Sequence, residues 1–139
     1  MKKGQASMEF LVTLGIVFAF TVPIIFLMFT ISELGYEDTA RAQTDASARS
    51  LAETLNFVYS QGDGAKRVIL LNTPPSTQEL VIGGGEVTVV MSTSDGRYEG
   101  VAPTFAEVYP EPTELEKSGL FFVIVTNEGG QLTVEGVGG

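Results

Sequence analysis

Between Glu9 and Glu33 the sequence runs for 23 residues without a charge, FLVTLGIVFAFTVPIIFLMFTIS. A hydrocarbon layer of about 30 Å takes roughly 20 apolar residues wound as helix, so this stretch can span a membrane. Its Phe, Leu, Ile, Val and Met recur on every side of a 3.6-residue period, which leaves no polar face for water. A helix of this kind belongs in lipid, or at the centre of an assembly built from copies of itself.

Once a helix and its continuation have taken about 60 of the 139 residues, one small globular domain remains. With 8 Lys+Arg against 17 Asp+Glu, the formal charge of −9 argues against a nucleic-acid partner, because phosphate binding needs a basic patch. Cysteine and histidine are both absent. That excludes a disulfide scaffold, a thiolate metal site, a thiol enzyme and a Ser-His-Asp triad.

The two flanks of the apolar run differ. Lys2 and Lys3 precede it, while Glu33, Glu37 and Asp38 follow. The positive-inside rule reads this as N-terminus in the cytoplasm and head outside. A secretory signal peptide also starts with positive charge, but its apolar region is about 7 to 15 residues and ends at a small-residue cleavage site. This run is too long, and Ala40-Arg41-Ala42, which has the small-residue form, lies past it among charged positions. Conventional signal cleavage is not expected.

On the near side of the run stands Gly4-Gln5-Ala6-Ser7-Met8-Glu9-Phe10. Glycine lets an extended backbone enter a protease cleft, and Ser7 or Gln5 can serve as an N-cap for a helix starting near Ala6. Gln5, Ser7, Glu9 and Phe10, behind the short basic leader of Lys2, Lys3 and Gly4, match every fixed position of a Q-x-S-x-E-F motif. In this the chain resembles the archaeal type IV pilin-like proteins that carry a class III signal peptide. The resemblance covers about the first 35 residues. It implies cleavage between Gly4 and Gln5 by a membrane-embedded aspartyl prepilin peptidase that recognises Lys2, Lys3, Ser7 and Phe10. Removal of four residues would leave 135, take the formal charge from −9 to −11 through loss of Lys2 and Lys3, and free an amine at Gln5.

Glu9 would then be the fifth residue of the mature chain, where pilins of this family carry a glutamate. By position alone it reads as an interfacial carboxylate marking where lipid ends. The motif around it favours a role in assembly instead. A carboxylate is tolerable at the positive end of a helix dipole, but inside a fibre it needs a partner, and the new amine at Gln5 of its own or a neighbouring chain is the candidate. Further along, Pro23 removes the bond that its N–H would have given to the carbonyl of Ala19, so a kink or local loosening is expected near residues 19 to 23. Either a static bend or a point of compliance during assembly is compatible with it.

After Ser32 the helix is expected to continue as an amphipathic one. Leu34, Ala40, Ala48, Leu51, Leu55, Val58 and Tyr59 recur at spacings near three and four, with Glu37, Asp38, Arg41, Asp45, Arg49 and Glu53 between them. Gly35 is the weakest point between the two halves, and Gly62 and Gly64 read as the end. The small residues Ala40, Ala42, Ala46, Ser47, Ala48 and Ser50 suit close approach of another helix, although ordinary helix propensity explains the alanines as well.

From Lys66 the pattern becomes strand-like. Strands are expected at 66–71, 79–82, 86–91, 97–102, 120–126 and 131–137, with turns at Gly83-Gly84-Gly85, Ser94-Asp95-Gly96 and Asn127-Glu128-Gly129-Gly130. Residues 103–119, with Pro103, Pro110, Pro112 and Glu107, Glu111, Glu114, Glu116, read as an acidic surface loop. The fold class is therefore α+β: a long N-terminal hydrophobic helix, type IV pilin-like, followed by a small antiparallel β-sheet head packed on its C-terminal half. The expected divisions are a leader (1–4), a hydrophobic transmembrane or fibre-core helix (5–34), an amphipathic continuation (35–62) and an extracellular β-rich head (63–139).

A search for chemistry returns little. Asp63-Gly64 and Asp95-Gly96 lack the calcium-loop pattern, the three glycines at 83–85 lack a following nucleotide-loop G-K-S/T, and no N-x-S/T sequon exists. No cofactor, metal or catalytic residue is assigned, and an enzyme is not expected. The resemblance implies a structural pilin of a type IV pilus-like surface filament, with adhesion as the expected service and motility and DNA uptake left open. It would be membrane-held as a precursor and then polymerised into a helical homopolymer, with a pilus assembly ATPase and a membrane platform protein as further partners. The rival reading is a membrane-anchored extracellular binding module that does not polymerise and that binds through the loops at 92–96 and 103–119.

Overall fold

A computed structural model describes residues 2–138, Lys2 by its backbone alone. It consists of one helix, α1 (Lys2–Gln61), followed by seven strands: β1 (Lys66–Thr73), β2 (Thr77–Gly83), β3 (Glu86–Thr93), β4 (Gly96–Pro103), β5 (Thr113–Leu115), β6 (Gly119–Glu128) and β7 (Gln131–Val137). The expected α+β order is what the chain adopts. By contacts it forms two compact units, Met1–Glu37 and Asp38–Gly139.

The first unit is helix alone. Neither Gln5 nor Ser7 is an N-cap, since α1 already begins at Lys2. The glycine at position 4 costs only about 1 kcal/mol relative to alanine, and no proline precedes Pro23 to stop the helix from running upstream. The helix is unbroken on both sides of Pro23. Thr13 Oγ1 donates to the Glu9 carbonyl at 2.8 Å and Thr30 Oγ1 to the Phe26 carbonyl at 3.1 Å, so these hydroxyls are satisfied within the helix.

In the second unit the C-terminal stretch of α1 is the centre of the head. Ala40, Thr44, Ser47, Ala48, Leu51, Ala52, Leu55 and Val58 are buried, following the expected spacing, and Leu51 and Leu55 are wholly so. The buried small residues Ala40, Ser47 and Ala48 face the sheets of the head, while Ala42, Ala46 and Ser50 are exposed. The buried face admits strands: Ser47 Oγ donates to the Asn72 carbonyl at 2.8 Å, and a Cβ added at Gly100 of β4 would stand 2.9 Å from Thr44 Cγ2. Gly62 and Gly64 end the helix with φ of 89° and 88°, a region open to glycine.

The strands form two antiparallel sheets, β1-β6-β7 and β4-β3-β2-β5. The sequence pattern predicts five or six strands in one antiparallel sheet; seven in two are found, and two sequence features account for the difference. Pro74 and Pro75 lock φ and lack N–H groups, so β1 cannot fold back on β2 through a tight hairpin and pairs with β6 instead. The second feature is β5, which pairs with β2 from within the stretch that reads as a loop. Three residues directly after Pro112 carry too little periodicity to signal a strand, yet burial alternates on either side of the exposed stretch 109–112: Thr104, Ala106 and Val108, then Thr113 and Leu115, are buried while Glu107, Glu111, Glu114 and Glu116 stay exposed. The core joins both sheets to α1 through Leu71, Leu80, Ile82, Val87, Val89, Phe121, Val123, Val125 and Leu132.

Candidate functional site

The residues singled out by the motif lie together in the first turns of α1. Lys3, Gly4, Gln5, Ser7, Glu9 and Phe10 are exposed, as is every residue from there to Tyr36. Lys2 belongs to the helix, but its side chain is outside the described residues. The bond between Gly4 and Gln5 is in helical backbone, so a protease that binds extended chain must first unwind a turn. Gly4 lowers the cost of unwinding that turn. Gln5, Glu9 and Thr13 follow one another at four-residue steps along one face, which puts the Gln5 nitrogen about 6 Å along the axis from Glu9 at 1.5 Å per residue.

Beyond them the helix presents apolar surface with nothing over it. None of the most apolar window is buried, and Phe10, Phe18, Phe20, Phe26 and Phe29 are each more than half exposed. In water this surface would be untenable. The helix is long and apolar enough to cross a membrane, which fits membrane anchoring.

In the head, acidic side chains hold turns. Asp63 Oδ1 accepts from Gly129 N at 2.8 Å, locking the end of α1 to the β6–β7 turn, and Glu111 Oε1 accepts from Gly84 N at 2.6 Å at the β2–β3 turn. Asp95 is 3.7 Å from Arg41, whose guanidinium also lies over the Tyr98 ring at 5.6 Å. Among the described residues no group of three or more His, Cys, Asp or Glu could hold a metal ion. Both loops of the binding-module reading are held at their ends. Residues 94 and 95 make a tight turn, and Asn56 Oδ1 on α1 accepts from Thr104 Oγ1 at 2.7 Å and from Phe105 N at 3.1 Å, fixing the start of the acidic stretch.

Two groups escape a reading of the sequence. Asn127, which the pattern places in a turn, is 1% exposed; its Nδ2 donates to the Val58 carbonyl at 3.3 Å, its backbone bonds Ala65 and Gly64, and its Oδ1 accepts from Gly130 N. Counting alternate positions from Phe121 through Val123 and Val125 puts residue 127 on the inward face, which is the signal that could have found it. Tyr98 donates its hydroxyl to Asp45 Oδ2 at 2.8 Å. That hydrogen bond, with lesser contributions from burial and the charge of Asp45, raises the phenol above its ordinary value against a smaller opposing effect of Arg41.

No family model, curated protein or solved structure matches the chain.

Proposed function

We propose that the chain is a pilin, the structural subunit of an archaeal type IV pilus-like surface filament. The observation that carries this reading is a single juxtaposition. A charge-free apolar helix, exposed all round in the lone chain, stands directly behind Gly4 and the Q-x-S-x-E-F residues Gln5, Ser7, Glu9 and Phe10. The precursor is held in the cell membrane with its N-terminus in the cytoplasm and its head outside. A prepilin peptidase cuts between Gly4 and Gln5, and the chain then leaves lipid for a helical homopolymer with the apolar helices at its centre.

Lipid already satisfies the apolar surface, so transfer into the fibre gains little from the hydrophobic effect and rests on close packing of helices and on polar pairing at their ends. Polymerisation is therefore driven from outside the chain, by a pilus assembly ATPase acting through a membrane platform protein. The polar pairing is Glu9 with the amine of Gln5, a group that exists only after cleavage. This makes processing a precondition for assembly. Adhesion is the service proposed for the filament, and the head, with its acidic exposed loops, is its outer surface.

The test is the N-terminal peptide of the protein recovered from its own cells, by mass spectrometry, with shearing of the same cells. A start at Gln5 and release of high-mass filaments are the expected results. A start at Met1 with the chain confined to small species in the membrane fraction would give the place to a membrane-anchored binding module that does not polymerise.

A further inference from the structure

The outward face of the β1-β6-β7 sheet is apolar where an acidic head should be polar. Cross-strand partners share a face, and the registers Leu70↔Phe122↔Val137, Val68↔Ile124↔Glu135 and Asn72↔Leu120 place Val68, Leu70, Leu120, Phe122 and Val137 side by side on it. These five are 41% to 55% exposed. Half-exposed side chains of this size leave on the order of 400 Å² of contiguous apolar surface, the scale at which such patches are commonly functional. It is also about half of the ~800 Å² that each partner gives to a standard interface.

The charges around this patch indicate what covers it. Lys66 lies on β1 in the row Lys66↔Thr126↔Thr133, and Glu135 lies on β7 one row further on. A two-fold axis running along the strands, between two such faces, sets β1 of one copy over β7 of the other. Lys66 then falls above Thr133, one step from Glu135, while the central strand lies over its own counterpart, Phe122 on Phe122. Lys66 and Glu135 thus form a pair of opposite charge at one end of the apolar centre, and symmetry makes two such pairs.

We infer that this face is a self-association surface: the head pairs with a second copy of the same chain, β1-β6-β7 sheet to β1-β6-β7 sheet. The pairing involves residues of the head alone and does not depend on whether the N-terminal helix polymerises.

Because the chain has no cysteine, single cysteines report cleanly. The full-length protein in its own membranes is treated with a bis-maleimide spanning about 10 Å, the separation of packed sheets. Phe122→Cys is expected to give a species of twice the chain's mass, and Glu99→Cys on β4 is expected to give none. Lys66→Cys and Thr133→Cys leave the apolar centre intact. Expressed together they should crosslink, and expressed separately they should not, since like positions lie two strands apart across the axis. Phe122→Glu should lower the Lys66→Cys with Thr133→Cys yield at least tenfold. Equal crosslinking at positions 99 and 122 would overturn the inference, as would adducts with other proteins only. So would protection of the Phe122→Cys thiol from a water-soluble maleimide by lipid vesicles without any dimer. A chain that begins at Met1 and still crosslinks at position 122 would sink the filament reading and leave this one standing.

Discussion

Asn127 shows how one polar side chain can be worth as much as a core aliphatic. Its amide and backbone join the last carbonyls of α1, the approach to β1 and the β6–β7 turn, with the side chain itself out of reach of water. Replacement by alanine takes the side-chain donor from the buried Val58 carbonyl, at about 1–3 kcal/mol for a group that water cannot reach, and removes the acceptor of the Gly130 N–H. We expect Asn127→Ala to lower the urea midpoint of the detergent-solubilised chain by an amount comparable to Leu55→Ala, which deletes a fully buried side chain at a cost of about 2–5 kcal/mol. Tyr98 makes a prediction of the opposite kind. Its folded pKa is raised, so the folded chain holds the phenol proton after the unfolded chain has lost it; the contribution is fully present below the ordinary value near 10 and fades as pH rises through the folded one. Alkaline titration followed by phenolate absorbance should show one tyrosine ionising late. Tyr98→Phe should remove that step and flatten the loss of stability above pH ~10.

Among the elements, the helix and most of the strands could be read from the chain because each carries its own period. Leu51, Leu55 and Val58 declare a helical face, and Phe121, Val123 and Val125 a strand face, before any neighbour is known. What could not be read is which element lies against which. Gly100 interrupts no pattern, yet it is where β4 meets α1, and an added Cβ would also stand 3.1 Å from the backbone carbon of Thr44. Gly100→Ala should therefore destabilise the head by about 1–3 kcal/mol through forced separation of strand and helix. Gly96→Ala, with nothing near its Cβ but a φ of 126°, should be costly through backbone strain instead. A crystal structure of either variant separates the two: a shift of α1 relative to β4 for the first, a rebuilt β3–β4 turn for the second. The three residues of β5 were invisible for a related reason, since a strand that short is specified by the sheet edge it joins.

On the scale of the whole molecule, the proposed filament places its demands on the first ten residues. Gly4→Leu puts a bulky residue before the scissile bond and should leave the chain uncut, read as a start at Met1. Glu9→Ala should be cut normally and inserted normally but yield filaments reduced about tenfold or more on shearing, because the Gln5 amine loses its counter-charge in a medium of low dielectric. Equal filament yield from Glu9→Ala would remove the carboxylate from the assembly argument. By itself the sequence determined that the chain has a helix whose surface water cannot tolerate, that an acidic β-rich head follows, and that no cysteine or histidine chemistry is available. These are properties of composition and period, and they need no neighbour to be expressed. Only the tertiary structure decided that the strands divide into two sheets around the C-terminal stretch of α1, that Asn127 and Gly100 are where the elements meet, and that Val68, Leu70 and Phe122 share one open face. Register and approach distance arise between segments far apart in the chain, and no single segment carries them.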